Sequence, residues 1–432
     1  MVRSAPTLVV AWVLAGAAHA AAQTPQQTAP TEKAAAEKVE TPGDDTVRLR
    51  YSLKGSGLFS RFAHDPVLFP DRASAASFWR CRVEPTIRIS DDTTVEFAIE
   101  QRVRASSSAS GFTGAGVLPA EAPAPYRLRQ LDWQLWSSTQ GEWRAEVDRA
   151  ALHARAGAAE FTVGRQAIGW GRGVMFGAID LFSPFTPLEA DREWRRGVDA
   201  VRADVKVSDR VSVDGIGAFG TDVDHSVLAG RLRGFAGDVD LELVGGRRAR
   251  DLFGGLASSA AVGDAEVHTE LAVFRTPAVP GSASFADQRS VVKVVAGGSY
   301  RLPVGAGLVA YGEYHYSGFG AASAGGALRE LADRTFQERY LRGDTQILGR
   351  HAVATLASYE LSPEVSLAAE WLMSPRDGSG VAVPSITLTF GDRVSMVMSG
   401  YVPHGRTPDG PTLRSDFGAT PLAAFVQLRV YR

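Results

Sequence analysis

Arginines and carboxylates set at alternate positions are the first chemistry this chain offers. Arg80, Arg82, Arg88, Arg102 and Arg104 are interleaved with Glu84, Glu96 and Glu100. A second group, Arg165, Arg172, Arg192, Arg195 and Arg196, stands with Asp191, Glu193 and Asp199. A guanidinium grips carboxylates and phosphates in a planar fork, so such arrays can bind or pass anions. Because both signs are interleaved, the same residues also make a salt-bridge network that stiffens whatever carries them. The network is the expected main role, and the two roles are compatible.

Other chemistry is poorly represented. No G-x-S-x-G nucleophile elbow occurs. The eight histidines are scattered, with no H-E-x-x-H pair to hold zinc. Gly169, Gly171 and Gly173 have a G-x-G-x-G spacing that lacks the following amphipathic helix of a nucleotide loop. Asp91, Asp92, Asp377 and Asp392 lie in turn-like contexts, where aspartate serves the backbone. A formal net charge of −2 argues against nucleic acid as a partner. Cys81 is the only cysteine, so no disulfide forms within the chain. Basic residues are nearly all arginine, with lysine only at 33, 38, 54, 206 and 293; genomic composition explains that as well as anion selectivity does. No enzyme, cofactor or metal site is expected.

What positions the charged residues is a period of two. Val47, Leu49, Tyr51 and Leu53 alternate with Arg48, Arg50, Ser52 and Lys54. Trp79, Cys81, Val83, Pro85 and Ile87 alternate with Arg80, Arg82, Glu84, Thr86 and Arg88, and Val95, Phe97 and Ile99 with Glu96, Glu100 and Arg102. Alternation by itself also suits a soluble sandwich with one wet face. Two further features favour a transmembrane barrel: strands recur along the whole chain, and short and long connections take turns. The mean hydropathy of −0.06 does not oppose this, because barrel strands hide their apolar face in alternation.

The N-terminus fits the same destination. Residues 1–20 read as a signal peptide, with Arg3, an apolar run from Leu8 to Ala18 and the site Ala18-His19-Ala20. The run is too short for a spanning helix. Residues 21–46 are polar and rich in Ala, Pro and Gln, and are expected to be a disordered periplasmic linker. The barrel is expected to occupy 47–432, in the outer membrane of a Gram-negative-type bacterium.

Strands are expected near 47–55, 77–90, 93–104, 142–155, 160–170, 197–207, 210–220, 226–235, 238–248, 251–261, 265–275, 290–302, 308–318, 347–361, 364–373, 380–390, 393–403 and 420–431. Short connections such as 90–92, 208–210 and 391–392 fall on the periplasmic side, and long ones such as 105–141, 171–196 and 319–346 outside. The expected fold is therefore all-β, an antiparallel barrel of about 18 strands, with 16 as the alternative. Segment 126–137 is strand-like but breaks the alternation of directions, so it is assigned to a loop. Within 319–346, Leu328, Leu331, Phe336 and Tyr340 fall near a helical stripe and predict a short helix over or in the barrel.

The stretch 160–202 organises the rest. Apolar parity changes between Val163 and Ile168, which predicts a β-bulge at Gly164 that turns Arg165 off the apolar face. The following segment, 171–196, is too long and charged for a hairpin turn. Its Phe176, Leu181, Phe182 and Phe185 need burial, so it is expected to fold inward and narrow the lumen. The channel-lining residues so expected are Arg80, Arg82, Glu84, Arg88, Glu96, Glu100, Arg102, Arg165, Arg172, Asp191, Arg192, Glu193, Arg195, Arg196 and Asp199.

The runs GRQAIGWGRG, IDLFSPFTP and DREWRRGVDAVR, with SPRDGSGVAVPSITLTFGDRVSMVMSGYVPHG at 374–405, resemble outer-membrane barrels of the alginate-export-like porin group. The resemblance implies a passive channel for small or anionic solutes, with exopolysaccharide export as its sharpest form. Implied partners are outer-membrane lipids, the barrel assembly machinery, and an anionic solute or polysaccharide. The ending FVQLRVYR resembles a barrel insertion signal but puts Arg432, not Tyr431, on the outward parity. Rival readings are a plugged assembly, adhesion or lipid-handling barrel, which would not conduct, and a barrel lipase, which the missing motifs disfavour.

Overall fold

Strands with one apolar and one polar face, joined by alternating short and long connections, have few stable arrangements, and the chain adopts the closed one. The computed structural model describes residues 46–108, 117–118 and 124–432. The expected signal peptide and nearly all of the expected linker lie outside the described residues. Nineteen strands run in order: β1 (Val47–Arg61), β2 (Ala73–Ser90), β3 (Thr93–Ser106), β4 (Asp132–Ser137), β5 (Gly141–Ala156), β6 (Ala159–Gln166), β7 (Val198–Ser208), β8 (Val211–Ala218), β9 (Val227–Ala236), β10 (Val239–Arg248), β11 (Asp251–Val262), β12 (Ala265–Thr276), β13 (Arg289–Leu302), β14 (Leu308–Ser317), β15 (His351–Ser362), β16 (Val365–Met373), β17 (Gly380–Phe390), β18 (Val394–His404) and β19 (Leu422–Tyr431). Neighbours pair antiparallel, and β19 returns to β1 through Ser52↔Tyr431 to Arg61↔Leu422. The wall is a closed 18-stranded barrel.

The nineteenth strand corrects the assignment of 126–137 to a loop. Residues 132–137 form β4, yet the strand count survives. β4 pairs with the upper part of β5 (Asp132↔Glu146 to Ser137↔Glu142), while β6 pairs with its lower part (Ala150↔Arg165 to Ala156↔Ala159). The two short strands share one column of the wall. The strand expected over 160–170 stops at Gln166, where the chain turns into the lumen. The expected 56–76 connection is shorter, because β1 and β2 stay paired out to Arg61↔Ala73.

Pairing through Gly164 is continuous on both sides, so the bulge expected there is displaced. Gly164 does take a left-handed backbone, φ +119°, where an added Cβ would strike the Ala150 carbonyl. The register shift lies one strand over, between β3 and β5 at Ala98/Ile99. There the two successive residues Asp148 and Arg149 are both buried, and Arg165 is buried as expected.

Facing follows the alternation. Val47, Leu49, Tyr51 and Leu53 are 43–55 % exposed, while Ser52, Lys54, Arg80, Arg82 and Glu84 are buried. An apolar exterior around a polar interior inverts a soluble protein, and only a closed barrel satisfies its backbone in lipid. The interior also has an apolar core. Ile168, Trp170, Phe176, Ile179, Leu181 and Phe182 of the loop after β6 pack with wall residues such as Val244, Phe253, Phe274 and Val295.

The connection from β14 to β15 carries two short helices rather than the one expected, α1 (Ala324–Leu331) and α2 (Arg334–Leu341). Ser323 caps the first, accepting from Gly326 N–H, and Asp333 caps the second, accepting from Thr335 and Phe336 N–H. Leu328, Leu331 and Phe336 of the expected stripe are buried.

Candidate functional site in the barrel lumen

The inner loop, residues 167–197, is seated on one wall through its backbone. Glu270 on β12 accepts N–H bonds from Arg172, Gly173 (2.7 Å), Ala178 (2.6 Å) and Ile179 (3.1 Å). Glu313 on β14 accepts from Val174 (3.0 Å) and Phe176 (2.7 Å), and its carboxylate also meets the Tyr311 hydroxyl and His268 Nε2 (3.1 Å). Gly171 allows this approach, since its φ is +104° and a side chain there would collide with Glu270. Phe176 stacks on His315 with centroids 4.5 Å apart. Gln346, beyond α2, ties the two loops together, accepting from Gly177 N–H and donating to the Phe185 carbonyl, each at 2.7 Å.

The returning half of the loop is held by charge. Lys54 on β1, 1 % exposed, donates to both oxygens of Asp191 (2.7 and 2.8 Å) and reaches Glu193 Oε2 at 2.6 Å. Its ammonium lies 3.6 Å from the centroid of the Trp194 ring, which Arg80 and Arg82 also approach at 4.9 and 5.2 Å. Burial pushes the Asp191 carboxyl up, but Lys54 and Arg80 outweigh it and hold the group below the usual carboxylate range. Tyr431 faces inward and donates to Glu193 Oε2 (2.6 Å), which accounts for its absence from the outward parity of the last strand.

Between the loops and the β2–β3–β5 wall a partly open space of about 140 Å³ remains. Arg80, Glu100, Arg102, Glu146 and Asp148 line it from the wall. Ser183 to Thr186, Glu189, Trp194 and Arg196 line it from the inner loop, and Tyr340 to Gly343 from the end of α2. Charge pairing is dense. Arg80 Nε lies 2.8 Å from Glu100 Oε2, and Arg102 meets Glu146. Arg82, behind the lining, reaches Asp148 at 2.6 Å and Glu84 at 2.7 Å.

Of the residues expected to line a channel, four lie on this cavity: Arg80, Glu100, Arg102 and Arg196. Arg82 and Glu84 are buried in the pair network beside them, and Glu96 is buried against His153 (3.3 Å). Arg88 sits half-buried near the far end of β2. Arg165 pairs with Asp199 (2.7 Å) at the junction of β6 and β7, away from the cavity. Arg172 holds Glu242 (2.9 Å) and Asp240 on the opposite wall. Arg192 bonds within its own loop to the Pro187 carbonyl, and Arg195 to Asp180 and the Ser183 carbonyl. Asp191 and Glu193 serve Lys54.

Sequence reasoning missed Lys54, Glu146, Asp148, Glu189, Trp194, Glu270, Glu313 and Tyr340. Glu266, His268 and Glu270 alternate on β12 as Glu96 and Glu100 do on β3, so that signal was present; the loop N–H groups they would meet were not.

Taken together, a closed wall, an apolar outside and a half-filled charged lumen define a membrane-spanning porin-type barrel. No family model and no curated relative matches the chain. Solved structures do. Acinetobacter baumannii OccAB1 is similar at TM-score 0.54 and 8 % identity, covering 92 % of this chain and 99 % of that one. Pseudomonas aeruginosa OccK9 (OpdG) aligns at 0.52 and 8 %, covering 89 % and 98 %, and OccK11 (OpdR) of the same organism at 0.51 and 10 %, covering 89 % and 95 %. At these identities the likeness is one of fold.

Proposed function

We propose that this chain is an outer-membrane, porin-like channel for passive passage of small polar solutes. The observation that carries this reading is the cavity between the charged β2–β5 wall and the inward loop, since a lumen narrowed but not packed shut is what a selective pore requires. Passage of anionic solutes draws support from Arg80, Arg102 and Arg196, but these arginines are matched by carboxylates in the same lining. Export of an acidic polysaccharide would require the inner loop to leave its seat, because 140 Å³ accommodates several waters rather than a sugar chain.

The test is single-channel recording of the purified, full chain in planar bilayers. Ohmic conductance that rises when residues 175–189 are deleted supports the reading. Absence of conductance from folded wild-type barrels would establish the plugged alternative, and ester hydrolysis by the same preparation would establish the lipase one.

A further inference from the structure

The charges around the cavity are not equivalent. Arg80 and Arg102 are each held by a wall carboxylate, Arg196 Nη2 is 3.6 Å from Glu146, and Arg342 reaches Asp344 at 2.6 Å. The wall carboxylates are engaged in turn: Glu100 by Arg80 and Arg82, Glu146 by Arg102 and Arg127, and Asp148 by Arg82 and Arg127. Glu189 is the exception. It lines the cavity from the inner loop, where its carboxylate accepts from the Thr186 backbone N–H and makes no ion pair among the described residues. The end of α2 brings to the same cavity the buried Tyr340 hydroxyl, which has no hydrogen-bond partner among the described residues. Phe78 and Phe185 line the same space with aromatic rings, each with a guanidinium (Arg104 and Arg195) over one face at 5.1 Å.

A carboxylate without an ion-pair partner, a free hydroxyl oxygen and the second faces of the aromatic rings form the set that receives a protonated amine: charge, a hydrogen-bond acceptor and π faces. We propose that Glu189 is a specificity-determining residue of the passage and binds the ammonium group of small amine-bearing solutes, with Tyr340 as its helper. This rests on the channel reading and names the substrate class for it. The arginines, already matched, offer permeating anions no comparable unpaired partner.

The environment of Glu189 makes the preference pH-dependent. Burial and the neighbouring Asp191 push its carboxyl up to about 7, against the pull of Arg80 and Arg192. Below that value Glu189 is neutral and the lining carries an arginine excess. Above it the carboxylate ionises and attracts cations. Cation preference therefore grows as pH rises through neutrality.

Reversal potentials in an ethylammonium chloride gradient test this with the intact barrel. At pH 8.5 the ethylammonium-to-chloride permeability ratio should fall roughly threefold to tenfold in Glu189→Gln, while Glu189→Asp keeps most of it. In the wild type the ratio should fall when pH is lowered to 5.5, and in Glu189→Gln it should not change. Tyr340→Phe should lower it more weakly. A wild-type ratio that is the same at both pH values, or unchanged by Glu189→Gln in a conducting barrel, overturns the proposal. The wild-type pH series decides even where Glu189→Gln fails to assemble, and a wild type that conducts nothing sinks the channel reading instead.

Discussion

The inner loop touches two walls and is treated differently by each. Towards β12 and β14 it is bonded through backbone N–H groups to two buried carboxylates, Glu270 and Glu313, and packed with Phe176, Ile179 and Phe182 into an apolar core. Towards β2, β3 and β5 it presents side chains to a wall of ion pairs and leaves a gap. Backbone bonds to a fixed carboxylate pin the path of a loop whatever its side chains are. Side-chain charges across a gap set what can share the gap. One wall thus fixes where the loop sits, and in the proposed channel the other decides what passes.

Breaking the seat should have the largest effect. Glu270→Ala with Glu313→Ala orphans five N–H groups inside the lumen and leaves Val174 only the Tyr311 hydroxyl, at about 1–3 kcal/mol for each that stays buried without a partner. The loop should leave the wall, and single-channel conductance should rise to a multiple of the wild-type value while the barrel remains heat-modifiable on gels. Unchanged conductance would mean that the apolar core alone holds the loop.

The next test compares the wall's two faces. Val83→Arg puts a charge on the lipid side of β2 and should cost about 2–4 kcal/mol at mid-depth. Thr86→Arg turns into the lumen opposite Glu96 on β3 and should be tolerated. Equal losses of unfolding free energy in lipid would show that the assigned facing is wrong.

Arg195 and Arg196, adjacent in sequence, separate the two functions of the loop. Arg195 grips Asp180 and the Ser183 carbonyl, so Arg195→Glu should destabilise the loop by about 1.5–3 kcal/mol and make the conductance noisy. Arg196 lines the cavity, so Arg196→Glu should shift reversal potentials towards cations with little change in loop stability. Identical phenotypes would erase the distinction between seat and passage.

How much of this was legible beforehand follows from the physics of each part. Period-two alternation survives in sequence because each residue of β2 or β3 faces lipid or lumen independently of its neighbours' partners. The strands were readable for that reason, though not all their ends; the inward course of Phe176, Leu181 and Phe182 followed instead from their need for burial. β4 was not, because its place is defined by the column that β6 leaves vacant, a property of the closed wall. The seat was hidden for a similar reason: Glu270 and Glu313 bind N–H groups that every residue possesses. Of the arginines, composition showed the number but not the pairing, and Glu189 stands out only after every neighbouring charge has found its partner.

The smallest expected effect tests the join between wall and loop at the C-terminus. Tyr431 ends β19 beside Ser52, two residues from Lys54 on β1, and its hydroxyl donates to Glu193. Glu193 also takes Lys54, so the final residue pair of the barrel closes onto the same anchor that holds the returning half of the loop. Tyr431→Phe removes one hydrogen bond to a partly exposed carboxylate and should cost about 0.5–1.5 kcal/mol. Lys54 keeps Glu193 and Asp191 in place, so conductance and selectivity should stay at wild-type values. Denaturant unfolding in lipid vesicles measures the loss. A change in selectivity from Tyr431→Phe would show instead that the anchor is soft, and that the passage wall depends on how the last strand closes.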